Sequence, residues 1–184
     1  MTYTVDQFGP NDLLTSKKED TRRIKVSEGD TCFYEGRQFY TFKEFDIPNN
    51  SSETIKVVAQ GDTIVQQFGA SLLIGGLRIE LVVGGTEQSA FTGSLPTLQA
   101  NNTSIAPDRT ATVSFDNGGD HTGGDVVDLI LMDAGGDRGN RQPTASNATE
   151  DLLLGFSAGT FYIRLTNTGN EDCSGVFRAR WEEL

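Results

Sequence analysis

The chain contains a single histidine, His121, a single tryptophan, Trp181, and two widely separated cysteines, Cys32 and Cys173. Ser-His-Asp or Cys-His catalysis would have to run through His121, which lies among glycines where its ring is expected to be poorly fixed. An incidental loop histidine is the expectation. The cysteines match no metal-ligand spacing, and in a reducing compartment they are expected to be free thiols. They could bridge only if the first and last core strands were neighbours. No apolar run approaches the roughly 18 residues a membrane helix needs. The opening MTYTVDQFGPNDLL has neither the basic start nor the apolar core of a signal peptide. The doubled glycines form neither a dinucleotide fingerprint nor a phosphate-binding loop. Helix-forming runs are scarce, and no internal repeat of about 20–50 residues occurs.

What is abundant is strand and turn material. Glycine accounts for 21 of 184 residues and threonine for 20. Glycine with Thr, Val, Ile and Phe is the composition of many short strands joined by tight turns. A chain of this length can bury about 70% of its unfolded surface in one domain, so it needs no metal or disulfide to fold. The net charge is −11, unevenly spread. Residues 1–25 hold five basic side chains (Lys17, Lys18, Arg22, Arg23, Lys25) against four acidic ones, leaving 10 basic and 22 acidic in the remainder. Such an acidic body repels nucleic acid and anionic membranes. The short basic cluster is read as a solvated segment.

Residues 1–22 show no strong period and read as an N-terminal arm, with one helical turn after Asn11. Residues 23–184 read as the domain. Strands are expected at Arg23–Val26, Cys32–Tyr34, Gln38–Phe45, Thr54–Ala59, Thr63–Phe68, Leu72–Ile74, Leu77–Val83, Thr110–Phe115, Val126–Met132, Thr160–Leu165 and Val176–Trp181. Gly75-Gly76 is a two-residue hairpin signature, and Asn167–Ser174 is expected to close a second hairpin. Residues 86–109 read as a long irregular connection covering a surface or carrying contacts. Thr149–Leu154 is a candidate helical turn. Many short strands with almost no helix give an all-β fold, an antiparallel β-sandwich or jelly-roll-like domain.

Within Gln38–Phe45, Tyr40, Phe42 and Glu44 alternate with Phe39, Thr41, Lys43 and Phe45. Aromatic residues on both faces suggest a strand covered on both sides, by a second sheet or a neighbouring subunit. Asp116, Asp120, Asp125, Asp133 and Asp137 sit on glycine-rich loops, where oxygen ligands for Ca²⁺ would be placed. Their spacing matches neither an EF-hand nor a nonapeptide calcium repeat, and Gly-Asp pairs are ordinary turn chemistry. No catalytic, cofactor-binding or metal residue is assigned, and the chain is expected not to be an enzyme.

Three segments carry a resemblance: Thr21 to Pro48 (TRRIKVSEGDTCFYEGRQFYTFKEFDIP), Gly118 to Asp128 (GGDHTGGDVVD) with Gly84-Gly-Thr-Glu87, and the ending from Ala158 (AGTFYIRLTNTG) to Glu183 (GVFRARWEE). Together they resemble small virion structural proteins of tailed bacteriophages, over roughly residues 21–183. The resemblance implies a non-catalytic virion protein assembled in the host bacterial cytoplasm. Its first role would be capsid decoration (cement), its second a head or tail fibre, collar or tail accessory subunit. The implied partners are the major capsid protein or tail and collar proteins, in a homo-oligomer such as a trimer, with no cofactor. A different reading is a carbohydrate-binding receptor-recognition module using loop carboxylates and an exposed aromatic such as Trp181 or Tyr162.

Overall fold

Strict two-residue alternation of apolar and polar side chains gives a strand one face for a core and one for its surroundings. The computed structural model follows that rule most clearly over residues 39–47 and 173–181. It describes residues 14–16, 21–23, 35–99, 109–133 and 154–184. Two short strands, β1 (Leu14–Ser16) and β2 (Thr21–Arg23), pair antiparallel. The body contains β3 (Gln38–Ile47), β4 (Ser52–Ala59), β5 (Thr63–Ile74), β6 (Gly76–Val83), β7 (Thr86–Ser89), β8 (Gly93–Ser94) and β9 (Leu98–Gln99). It continues with β10 (Val113–Asn117), β11 (Asp120–Thr122), β12 (Asp125–Asp133), β13 (Leu154–Phe156), β14 (Gly159–Asn167) and β15 (Cys173–Glu183). No helix occurs among the described residues.

Two antiparallel sheets pack into a β-sandwich. One has six strands in the order β12-β6-β14-β4-β10-β8, the other five in the order β13-β5-β15-β3-β9. β11 and β7 form a separate two-stranded ladder. One core joins the inward sides of the large sheets. Phe39, Phe45 and Ile47 of β3, with Phe177, Ala179 and Trp181 of β15, share it with Ile55 and Val57 of β4, Leu77, Ile79 and Leu81 of β6, and Phe161, Ile163 and Leu165 of β14. Each such side chain contributes about 1.5–3 kcal/mol when fully buried. Trp181 lies 4.9 Å from Phe115 and 5.9 Å from Phe39, ring centre to ring centre. Lys43, also on the inward side of β3, reaches across the sandwich to Glu53 of β4. Burial pushes the Lys43 ammonium pKa down.

The faces within β3, β14 and β15 follow the sequence reading, but the strand partners do not. No two consecutive strands from β3 to β15 pair with each other. The Gly75-Gly76 hairpin is replaced by a crossover. β5 runs on to Ile74 and the chain passes through Gly75 into β6 of the opposite sheet. Gly75 has φ +86°, and a Cβ there would stand 2.9 Å from the Cys173 backbone. A glycine pair supplies the same backbone freedom to a hairpin and to a sheet-to-sheet elbow, so the signature alone does not separate them. The second expected hairpin is also a crossover, because β14 and β15 belong to different sheets. Buried Asn167 shapes it: its Nδ2 donates to Ile47 O at 2.9 Å and Glu171 O at 2.8 Å, while its Oδ1 accepts from Gly169 N at 2.8 Å.

The stretch read as irregular from 86 onward contains three short strands. β7 joins the β11 ladder, β8 closes the edge of the six-stranded sheet, and β9 closes the edge of the five-stranded one. Between them Leu95 enters the core, and Pro96 O accepts from Thr41 Oγ1 at 2.6 Å. In the arm, Leu14–Ser16 is strand where a helical turn was expected, and Leu154 opens β13. The rest of the arm, the expected strands at Ile24–Val26 and Cys32–Tyr34, and residues 134–153 with Asp137 lie outside the described residues.

Candidate functional site

Three surfaces gather the side chains that chemistry or recognition could use. The first is the outer face of the six-stranded sheet, beneath the β7-β11 ladder. Lys56 of β4, Glu80 of β6, and Tyr162 and Arg164 of β14 point outward there, in line with the register that sets Tyr162 beside Lys56 and Arg164 beside Glu80. Glu87 of β7 locks onto them, with Lys56 Nζ 2.6 Å from its Oε1 and Tyr162 Oη donating to the same oxygen at 3.0 Å. The Lys56 hydrogen bond, followed by that from Tyr162, lowers the Glu87 pKa, and the same Glu87 contact raises that of Lys56. Burial, then Glu87, raises the Tyr162 phenol.

His121 of β11 departs from the sequence expectation. Its ring is buried and stacks on Tyr162 with 3.7 Å between centres. Nε2 lies 2.8 Å from Gly84 O, and Arg164 Nη2 lies 3.5 Å from Nδ1. A carbonyl only accepts and a guanidinium only donates, so this pair of neighbours selects the neutral ring with hydrogen on Nε2. Gly85, at φ +89°, makes room, since a Cβ there would stand 2.7 Å from the ring Cε1. The flanking glycines therefore admit the ring and fix it. The histidine joins the ladder to the sheet. Glu80 is 8% exposed and sits 3.6 Å from both Arg78 Nε and Arg164 Nη1. Val82, two residues along β6 from Glu80, is fully buried.

No family model, curated protein or solved structure matches this chain. Its surfaces are therefore read from their own geometry.

The second surface is β12, an edge strand whose only neighbour among the described residues is β6. Ile130 and Met132 point into the core, whereas Val126, Val127, Leu129 and Leu131 are 49%, 50%, 49% and 67% exposed. Leu73 and Ile74, at the end of β5, are also exposed. The third surface is the outer face of the five-stranded sheet. There Tyr40 and Phe42, with Gln67, Val176, Arg178 and Arg180, line a groove of about 410 Å³.

The sequence-derived candidates fare differently. Trp181 is 1% and Tyr162 7% exposed, so neither is the exposed aromatic a sugar platform requires; Tyr40 and Phe42 are. Asp120 Oδ1 accepts from His121 N at 2.7 Å and Asp128 Oδ1 from Leu129 N at 2.8 Å, which is local turn and strand chemistry. Among the described residues no three His, Cys, Asp or Glu side chains gather as a metal site. Cys173 is buried as a free thiol, while Cys32 lies outside the described residues. Lys56, Glu87, Arg164, Arg178 and Arg180 were not singled out from sequence. The two terminal-strand arginines had a signal, since Arg178 and Arg180 alternate with core residues Phe177, Ala179 and Trp181.

Proposed function

We propose that this chain is a non-catalytic structural subunit of a bacteriophage virion, a capsid decoration protein that assembles through the β12 edge. The observation that carries this reading is the row of exposed aliphatic side chains on that edge. An open edge offers unpaired backbone donors and acceptors, and soluble chains ordinarily blunt such edges with charge, proline or cover. Here four aliphatic side chains occupy it, with Leu73 and Ile74 exposed as well. A contiguous apolar surface of this kind marks an interaction site. The sequence resemblance to small virion proteins of tailed phages supports the same reading, and so does the structural use of His121, whose ring nitrogens face Gly84 O and Arg164. The partner is the major capsid protein together with further copies of this chain.

The direct test is the copy number of the chain in purified particles, measured by quantitative mass spectrometry. A number comparable with the major capsid protein supports decoration. A handful per particle assigns it instead to a fibre, collar or tail, and its absence from particles overturns the reading. The edge is tested by Leu129→Glu with Leu131→Glu. This variant should stay folded but lose association with stripped capsids, and unchanged association excludes β12 as the docking edge.

A further inference from the structure

The groove on the five-stranded sheet lies on the opposite sheet from β12, so assembly through β12 leaves it free. Its side chains form two rows across three strands. In one, Tyr40 of β3 is beside Arg180 of β15, which is beside Gln67 of β5. In the next, Phe42 is beside Arg178, which is beside Gly69. Directly opposed residues on neighbouring strands stand about 5 Å apart, so each aromatic ring has a guanidinium next to it. Gly69 has no side chain, and a Cβ placed there would meet nothing within 4 Å, which leaves the floor beside Arg178 open. Tyr40 is 38% and Phe42 42% exposed, high values for rings on interior strands.

We propose that this groove binds an acidic oligosaccharide, with Tyr40 and Phe42 stacking against sugar rings and Arg178 and Arg180 taking a sugar carboxylate. Three observations select that ligand. The two arginines are cationic groups on a chain of net charge −11, so an anionic group is drawn to this spot and repelled from most others. Arg178 makes no ion pair among the described residues, and Arg180 donates one N–H to Gln38 Oε1, leaving further donors of its fork. β15, at the centre of the groove, is paired along its length with β3 on one side and β5 on the other, so a peptide cannot add to it as a strand. What the groove offers is ring faces, guanidinium forks and the Gln67 amide, the groups that meet the C–H faces, carboxylates and hydroxyls of a uronic or nonulosonic acid. A nucleic acid would bring one phosphate per nucleotide towards Glu44 and Asp46, which are exposed farther along β3. An oligosaccharide carries its carboxylates sparsely enough to avoid them. The volume suits a few sugar rings, within the range of about 300–1,000 Å³ common for ligand sites.

The experiment is isothermal titration calorimetry of the full chain with oligogalacturonate, hyaluronan oligosaccharides and sialyllactose, and with maltohexaose as a neutral control. The proposal expects saturable binding of at least one acidic sugar, weakening as salt rises, and none of maltohexaose. Which acidic sugar binds separates uronate from nonulosonate recognition. Arg178→Ala should reduce that affinity by about tenfold to a hundredfold, the loss of a charge-assisted hydrogen bond. Phe42→Ala should reduce it by at least about fivefold through the lost stacking face, with circular dichroism showing that each variant is folded. Failure of every acidic sugar to bind overturns the proposal. So does equal binding by Arg178→Ala, or tighter binding of an acidic peptide or an oligonucleotide in the same groove. None of these outcomes depends on the copy number in particles, so the glycan site and the virion role stand or fall separately.

Discussion

Replacing Phe45 and Phe42 by alanine, one at a time, tests the assignment of faces on which both surfaces of β3 depend. The residues lie three apart on one strand and point to opposite sides. Phe45 is 5% exposed and belongs to the core, and Phe42 is 42% exposed over the groove. Phe45 is directly opposite Gly175, and a Cβ on that glycine would stand 2.9 Å from the Phe45 ring. The ring thus occupies space that Gly175 leaves vacant, and the residue directly opposite has no side chain to fill the cavity left by alanine. A buried Phe→Ala change costs about 3–5 kcal/mol, and Phe45 belongs towards the upper end for that reason. The half-exposed Phe42 should cost about 1 kcal/mol or less. With a urea dependence of about 2 kcal/mol per molar, the midpoint should fall by roughly 2 M for Phe45→Ala and by roughly 0.5 M or less for Phe42→Ala. Trp181 reports the transition: it is the only tryptophan, it is 1% exposed, and its emission shifts to the red on unfolding. Equal midpoint shifts for the two variants, or a larger one for Phe42, would refute the face assignment and with it the groove.

Three further outcomes follow from contacts described above. Glu87→Gln should speed hydrogen exchange of the β7 and β11 amides while leaving β14 protected, because Glu87 holds the ladder to Lys56 and Tyr162; unchanged exchange would show that stacking of His121 suffices. The pH dependence has a definite sign. The lowered Glu87 pKa gives a contribution present above the ordinary carboxylate value and lost as pH falls through the lowered one, and the raised Lys56 pKa gives one lost only as pH rises through the raised value. Wild-type exchange should therefore approach that of Glu87→Gln in acid, and a flat acid profile would contradict the ion pair. Gly75→Ala should destabilise the fold by at least about 1–2 kcal/mol from the left-handed backbone alone, read as a lower melting temperature. Cys173, whose thiol pKa is raised first by burial and then by Asp46, should resist alkylation in the native state and react on denaturation, as peptide mapping of that site would show. Rapid native labelling at Cys173 would mean that the elbow beside Gly75 opens readily.

Alternation made the inner and outer faces of β3, β6, β14 and β15 legible, because the pattern is local and a strand has only two faces. Pairing was not legible. Each partner choice joins segments distant in sequence, as when β3 takes β15 and β9, and nothing in Phe39-Tyr40-Thr41 names Trp181 or Gln99 as neighbours. Tyr40 and Phe42 were placed on the face opposite Phe39, yet that face was expected to be covered as well, whereas they are 38% and 42% exposed. For the same reason their company with Arg178 and Arg180 was not legible. The short strands β8 and β9 lack enough residues to show any period, so the segment from 86 to 99 read as loop. His121 was misjudged because its glycine neighbours suggest looseness in sequence, whereas at Gly85 the missing side chain lets the ring fit closely.

The order in which the sheets are filled has a consequence for biosynthesis. β14 lies between β6 and β4 at the middle of one sheet, and β15 lies between β5 and β3 at the middle of the other. Each is also the last strand of its sheet to be translated. Until β14 and β15 leave the ribosome, β4, β6, β3 and β5 have no central strand to bridge them, and one edge of each stays unpaired. At about 5–20 residues per second the nascent chain spends several seconds in that state. Completion of both sheets therefore waits for β14 and β15, and a ribosome that stalls between residues 83 and 159 leaves four strands waiting for a partner that has not yet been made.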